Sequence, residues 1–151
     1  MNRDAQILRA AQSCSFGARY LQLCFSYAGV DDALRLKKGD VNSIILKLFE
    51  GVVYDSKAKI YFVDQVVKCC QVRLCIPYKD GFIGPWYVFQ NPQEDYRYRG
   101  SFNLIAQSEE ELIRDFLPAK FPCVRTPQEI ESVFGELSSL HNDFIKQLEN
   151  S

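Results

Sequence analysis

Residues 71–107, near the middle of the chain, constrain the fold more than any other stretch. Apolar Val72, Leu74 and Ile76 alternate with Arg73 and Cys75, and the only tryptophan follows them. Successive side chains of a β-strand point to opposite faces of the sheet, so this alternation predicts strands with one buried face. We therefore predict a three-stranded antiparallel meander that packs its apolar face against helices from both ends of the chain.

The turns of this meander are marked by residues that favour chain reversal. Asp80-Gly81 is a typical tight-hairpin sequence before a return strand over residues 82–90. Within that strand, Gly84-Pro85 predicts a bulge or a sheet edge, because proline cannot donate a ladder hydrogen bond. A polar turn at residues 91–95 then leads to a third strand, predicted over residues 96–106.

Helical spacing dominates the segment before the meander. Small or apolar side chains recur at steps of three and four between residues 4 and 28, which predicts one long amphipathic helix. Its buried stripe comprises Ile7, Leu8, Ala11, Cys14, Ala18, Leu21, Phe25 and Ala28. Asp31 or Asp32 is then predicted to cap a short turn through Leu36, and Asp40 to cap a helix through Phe49.

Residues 52–70 fit two patterns. The apolar runs on either side of Asp55-Ser56-Lys57 suit a β-hairpin. Helical spacing is also present, at Ile60, Val63, Val66, Val67 and Cys70. We favour the hairpin for residues 52–63 and a helix for residues 64–70.

Two helix starts are visible in the C-terminal third. Ser108 followed by Glu111 forms a capping box for a helix that ends at Pro118, and Thr126-Pro127 followed by Glu129 repeats the device. The apolar face of the second helix comprises Ile130, Val133, Phe134, Leu137, Leu140, Phe144, Ile145 and Leu148. Residues 1–151 are thus predicted to form a single α+β domain, with helices flanking a small antiparallel sheet.

Length, charge and cysteine content narrow the class of protein. With 151 residues, the chain can bury a core without disulfides or metals. A formal net charge of -1 disfavours a general nucleic-acid binder, which needs a basic surface. Met1-Asn2-Arg3-Asp4 lacks the apolar run of a signal peptide, and no stretch is long enough to span a bilayer. We predict a cytoplasmic protein with six free cysteines and no membrane partner.

Catalytic and metal-binding patterns are weak. Cys69, Cys70 and Cys75 lack the paired spacing of zinc ligands, and we expect alternate cysteines among them to point into the core. His141 is the only histidine, which excludes most general acid–base schemes, and we interpret it as a boundary residue rather than the partner of a cysteine nucleophile. Carboxylate runs are explained by helix N-termini and polar turns. We predict no catalytic residue, no metal and no cofactor.

One run of aromatic residues and arginines is the candidate site. Tyr96, Arg97, Tyr98 and Arg99 are consecutive on the third predicted strand, and Trp86 and Tyr87 lie on its predicted neighbour. These residue types are enriched at protein–protein hot spots and also stack on bases. A purely structural strand, with tyrosines buried and arginines solvated, explains the same pattern. If the tyrosines face the helices, the two arginines form a small exposed basic pair; otherwise the tyrosines make the contacts.

These observations lead to three alternative hypotheses about function. The first is a non-enzymatic protein-binding module of the inhibitor, immunity-protein or dedicated-chaperone type, which uses an aromatic and arginine-rich sheet face to bind another protein. The second is a small-molecule-binding or enzymatic domain, with a pocket lined by Phe, Tyr and Cys between sheet and helices. The third, a single-strand nucleic-acid binder, is disfavoured by the net charge.

Overall fold

An antiparallel sheet with helices against one face is the centre of the architecture. It is seen in a computed structural model that describes residues 3–27, 38–79, 82–94, 96–102, 105 and 122–150. The strands are Val53–Asp55 (β1), Ile60–Val67 (β2), Cys70–Lys79 (β3), Phe82–Ile83 (β4), Trp86–Asn91 (β5) and Tyr96–Ser101 (β6). Their order in the sheet is β1-β2-β3-β5-β6, and β4 pairs with the far end of β3.

Helices at both ends of the described chain pack on this sheet. They are Arg3–Ser13 (α1), Phe16–Ser26 (α2), Lys38–Leu48 (α3) and Pro127–Glu149 (α4), with a short 3-10 turn at Pro92–Glu94. The first three helices all contact α4, which is the central helix of the layer. The α+β class and the helices flanking an antiparallel sheet are therefore confirmed.

The three-stranded meander is confirmed, and the sheet extends beyond it by two further strands, β2 and β1. The predicted strands correspond to β3, the return strand β4–β5, and β6, and each pair is antiparallel. The return strand is interrupted at Gly84-Pro85 as predicted, and there the Pro85 carbonyl accepts a hydrogen bond from the Phe102 N–H at 3.0 Å. The predicted hairpin over residues 52–63 is also present, as β1 and the start of β2.

Two predictions beside the meander are wrong. Residues 64–70 are not helical, because β2 continues to Val67 and a two-residue turn at Lys68-Cys69 leads directly into β3. Both turn residues have left-handed backbone, with φ of 49° and 65°, which is the conformation of a type I′ hairpin. The third strand ends at Ser101 rather than at residue 106.

The N-terminal helix is two helices rather than one. The helix is interrupted at Ser15, whose φ of 55° is left-handed, and the buried stripe changes position there. After the break, Phe16, Tyr20 and Leu23 are buried, whereas Phe25 of the predicted stripe is 47% exposed. The third helix starts before Asp40, which is therefore inside the helix and not its cap.

The capping box and the apolar face that predicted α4 are both confirmed. The Thr126 hydroxyl accepts a hydrogen bond from the Glu129 N–H at 3.1 Å, and the Glu129 carboxylate accepts one from the Arg125 N–H at 2.7 Å. All eight residues of the predicted apolar face are buried. The predicted turn after Asp31 or Asp32, the Asp80-Gly81 hairpin turn and the capping box at Ser108–Glu111 lie outside the described residues.

Aromatic side chains join the sheet to the helices. Tyr87 of β5 contacts Phe16 of α2 and Phe144 of α4, with ring centroids 6.4 and 5.1 Å apart, and it stacks on Phe102 at 5.0 Å. These four side chains are among the largest that are fully buried. Buried residues from α1 to α4 and from the sheet form one hydrophobic core, so one face of the sheet is covered.

Candidate functional site

The face of the sheet turned away from the helices is here called the outer face. Its members are set by the strand register, because residues paired across antiparallel strands share a face. The outer face comprises Val53, Asp55, Ile60, Phe62, Asp64, Val66, Gln71, Arg73, Cys75, Pro77, Trp86, Val88, Gln90, Arg97, Arg99 and Ser101. Most of its polar residues and two of its valines are exposed in the described part of the chain: Val53, Asp64, Val66, Gln71, Arg73, Gln90, Arg97 and Arg99.

Two arginines on the outer face stack on aromatic rings. The Arg73 guanidinium lies 4.2 Å from the centroid of the Phe62 ring, and the Arg99 guanidinium lies 5.0 Å from the Trp86 ring. Each pair joins neighbouring strands: β3 with β2, and β6 with β5. A cation held over a ring is attracted to the negative face of the π system, which restricts both side chains.

Only one of these two arginines has a carboxylate partner among the described residues. Asp64 accepts hydrogen bonds from Arg73 Nε and Nη2 at 2.7 and 2.8 Å, a bidentate ion pair. The hydrogen bond to Asp64 raises the pKa of Arg73, so the guanidinium stays charged. Neither Arg97 nor Arg99 lies within 4.0 Å of a described carboxylate.

Cys75 lies between the two stacked pairs. In the register it stands between Phe62 and Trp86, and it is buried although it points away from the helices. Burial raises the pKa of this thiol, against the opposing effect of nearby Arg73 and Arg99. The thiol is therefore protonated at neutral pH and fills space on the outer face. Of the other two cysteines in this set, Cys70 is buried on the face that the helices cover and Cys69 is exposed.

The structure divides the six predicted site residues between the two faces. Trp86, Arg97 and Arg99 are on the outer face, with both arginines exposed. Tyr87, Tyr96 and Tyr98 face the helices, and Tyr87 is completely buried. The structure thus selects the first of the two predicted arrangements, in which the arginines form an exposed pair.

The two half-buried tyrosines have structural contacts. The Tyr96 hydroxyl donates a hydrogen bond to the Asp4 carboxylate at 2.6 Å, which ties α1 to β6. The Tyr98 ring packs against Phe89 with centroids 5.7 Å apart and lies over Gly100, where a Cβ atom would come 2.5 Å from the Tyr98 hydroxyl. The Tyr98 ring can lie over Gly100 because glycine has no Cβ atom.

The structure adds residues that the sequence analysis did not assign to the site. Phe62, Asp64, Val66, Arg73 and Val88 share the outer face with Trp86. Val66 is 71% exposed, an unusual fraction for a large aliphatic side chain. The signal was present as alternation over residues 60–67, but the same residues also had helical spacing. A concavity of about 580 Å³ on this face is lined by residues of β2, β3, β5 and β6.

His141 has hydrogen-bond partners other than cysteine. Its Nδ1 lies 2.7 Å from the Tyr87 hydroxyl and its Nε2 lies 2.8 Å from Gln65 Oε1. Since Gln65 Oε1 can only accept, Nε2 carries the proton and Nδ1 accepts from Tyr87. Only 2% of His141 is exposed, so the interpretation of this residue as a boundary residue is wrong. Burial lowers its pKa to about 4, and the imidazole is neutral at pH 7.

The apolar cavity between sheet and helices is too small for the predicted small-molecule pocket. The cavity bounded by Ile7, Val72, Phe89, Tyr96 and Leu148 has a volume of about 30 Å³, room for roughly two water molecules. A larger concavity of about 460 Å³ borders α3, β2 and α4, but its lining includes Lys47, Glu50, Asp64 and Asn142 rather than mainly Phe, Tyr and Cys. Among the described residues, no group of three His, Cys, Asp or Glu side chains is placed to hold a metal ion.

Comparison of the chain with protein-family models, with curated proteins and with solved structures gave no match. Within the described ranges, no helix combines the length and the apolar character needed to cross a membrane. The geometry of the outer face is therefore the main guide to function.

Proposed function

We propose that this protein is a non-enzymatic binding module that recognises another protein through the outer face of its sheet, as inhibitors, immunity proteins and dedicated chaperones do. One observation carries the proposal: the outer face combines exposed aliphatic side chains with two arginine–aromatic stacks whose arginines are exposed. Arginine and aromatic side chains beside exposed apolar ones are the residue types of protein–protein interfaces.

The residue types on the outer face favour a protein partner. Tryptophan and arginine are over-represented among hot-spot residues, and here they are in contact with each other. Stacking fixes the guanidinium of Arg99 before any partner arrives, so less side-chain entropy is lost on binding. Val66 and Val88 add apolar area beside the stacks.

His141 and the four buried cysteines have the protonation states of structural residues rather than of activated catalytic ones. The one histidine is buried and neutral, with both ring nitrogens in hydrogen bonds. The pKa values of Cys24, Cys70, Cys75 and Cys123 are raised by burial, that of Cys24 to about 11, which opposes formation of a nucleophilic thiolate. These observations support a binding function over an enzymatic one.

The experiment is a capture of partners from native lysate on three immobilised forms of the protein. The test variant is Trp86→Ala/Arg97→Ala/Arg99→Ala, and the control is Phe25→Ala/Leu46→Ala/Arg9→Ala, which removes exposed side chains of similar type from the helical layer. Circular dichroism first establishes that both variants are folded. Each captured protein is then purified and its affinity for the three forms is measured by calorimetry.

We expect a stoichiometric partner that binds the wild type and the control equally. We expect the test variant to bind at least roughly thirtyfold more weakly, since hot-spot truncations cost 2 kcal/mol or more. A purified partner whose affinity falls only in the helical-layer control would place the binding site on the helices and overturn the proposal. So would a partner that binds all three forms alike.

A further inference from the structure

We propose that the partner presents a carboxylate to Arg99 and Arg97, beside an apolar side chain that covers Trp86 and Val88. The inference rests on the proposed function and names the chemistry of its partner. Its basis is the difference between the two stacked arginines on the outer face: Arg73 already has a carboxylate, and Arg99 has none among the described residues.

The Arg73–Phe62 pair has a carboxylate partner of the kind that the Arg99–Trp86 pair lacks. Arg73 lies over Phe62 and at the same time donates two hydrogen bonds to Asp64, which stands directly opposite it on β2. A guanidinium can thus use its face for an aromatic ring and its edge for a carboxylate. Arg99 has the ring contact with Trp86, and its edge is exposed.

The residue opposite Arg99 cannot supply the missing carboxylate. Val88 of β5 is the cross-strand partner of Arg99, and Gln90 is the partner of Arg97. In the described sheet β6 is at the edge, so no strand lies on its other side to provide an acidic side chain. The two arginines are two residues apart on one face, about 7 Å along the strand, and together they form a positive rim on a chain of net charge -1.

A second copy of the chain is a poor occupant of this rim. If two β6 strands paired antiparallel about a two-fold axis, outward residues would oppose outward residues, and arginine would face arginine. Nucleic acid also carries negative charge, but affinity for a phosphate backbone grows with the number of neutralised phosphates. Two arginines without a described carboxylate partner, on the same face as exposed Asp64 and apolar Val66, suit a mixed acidic and apolar protein surface better.

The test uses defined peptides, so that it does not depend on finding the natural partner. A random 12-residue peptide library is selected on the intact wild-type protein, and the tightest peptide is synthesised together with an analogue in which each Asp and Glu becomes Asn and Gln. Affinities are measured for the wild type, for Arg97→Gln/Arg99→Gln, for Trp86→Ala and for the control Arg9→Gln/Lys146→Gln. The control removes two exposed positive charges from the helices. A labelled oligothymidylate is measured in parallel.

We expect selected peptides to contain acidic residues next to apolar ones. Arg97→Gln/Arg99→Gln and the neutral peptide analogue should each weaken binding at least about tenfold, because charge-assisted hydrogen bonds are lost. The control should bind like the wild type. Higher salt should weaken wild-type binding more than that of Arg97→Gln/Arg99→Gln.

Three results would overturn the inference. Peptides without acidic residues that still require Trp86, but not Arg97 and Arg99, would leave the proposed function standing and refute the carboxylate. Peptides that bind Trp86→Ala and the arginine variant as tightly as the wild type would refute both the face and the carboxylate. Binding of oligothymidylate at physiological salt that is lost only in the arginine variant would assign the rim to nucleic acid instead.

Discussion

At the scale of single residues, His141 is the group whose chemistry the tertiary structure changes most. It lies on α4 among apolar residues, its two nitrogens are bound to Tyr87 and Gln65, and the whole ring is buried. These contacts fix the neutral tautomer that carries its proton on Nε2. The imidazole therefore contributes to stability through two hydrogen bonds only while it stays neutral.

The stability of the protein should fall in mild acid because of this residue. Its pKa is about 4 when folded against 6.5 in the unfolded chain, so above pH 6.5 the ring is neutral in both states and stability is at its full value. As the pH falls from 6.5 towards 4, only the unfolded state gains the proton, and we expect a loss of about 2 kcal/mol by pH 5. Urea unfolding at pH 7.5 and pH 5.0 measures this loss.

A His141→Gln variant is the control for this prediction. The chain has one histidine, so the variant should be less stable at pH 7.5 but should lose much less between pH 7.5 and pH 5.0. If wild type and variant lost stability equally over that interval, the pH dependence would belong to carboxylates and not to His141.

At the scale of elements, the β2–β3 turn is the clearest case of an unusual sequence in a common structure. Type I′ turns need left-handed backbone at both central positions and favour Asn-Gly, but this turn has Lys68-Cys69. Left-handed backbone costs a residue with a Cβ atom of order 1 kcal/mol. The register from Val67↔Cys70 to Ile60↔Pro77 is long enough to impose that conformation.

Replacing the turn by a favourable sequence should stabilise the protein. We expect Lys68→Asn/Cys69→Gly to raise the free energy of unfolding by about 1 kcal/mol, after the larger unfolded-state entropy of glycine is counted. Urea denaturation under reducing conditions measures the change. In the β1–β2 turn Lys57 and Ala58 do not have positive φ, so Lys57→Asn/Ala58→Gly should not stabilise. Equal stabilisation by both variants would show that backbone strain at Lys68-Cys69 is not the cause.

At the scale of the whole molecule, folding and the proposed binding use opposite faces of one sheet. Along β6, Tyr96 and Tyr98 pack against the helical layer, while Arg97 and Arg99 point outward. Successive side chains on a strand alternate, so neighbouring residues belong to different functions. The same alternation on β3 separates buried Leu74 from exposed Arg73.

Single substitutions at neighbouring positions of β6 should therefore differ in their effect on stability. We expect Tyr98→Ala to lower the free energy of unfolding by about 2 kcal/mol, because it leaves a gap over Gly100. Arg99→Ala should change it by less than about 1 kcal/mol, since the residue is exposed. Chemical denaturation followed by circular dichroism compares the two. A loss for Arg99→Ala as large as that for Tyr98→Ala would mean that the stack on Trp86 holds the fold together.

The sequence by itself determined the parts of this protein that depend on local patterns. The α+β class, the meander, the break at Gly84-Pro85 and the whole of α4 follow from side-chain periodicity, turn residues and a capping box. Errors arose where local signals were ambiguous or missing. Residues 64–70 fitted both the strand period and the helical period, and the Lys68-Cys69 turn lacks the glycine that marks most tight hairpins. Nothing in the helical spacing of residues 4–28 marked the interruption of the helix at Ser15.

Only the tertiary structure decided which face of the sheet is covered and which residues meet on the other. Alternation already placed Tyr98 and Arg99 on opposite faces, but packing by helices distant in sequence selected the tyrosine side for the core. The pairing of strands then brought Arg73 onto Phe62 and Arg99 onto Trp86. Burial of His141 has the same origin, because it depends on partners 54 and 76 residues away in the chain. Local sequence encodes the period of an element, whereas the face that it buries depends on the free energy of packing the complete chain.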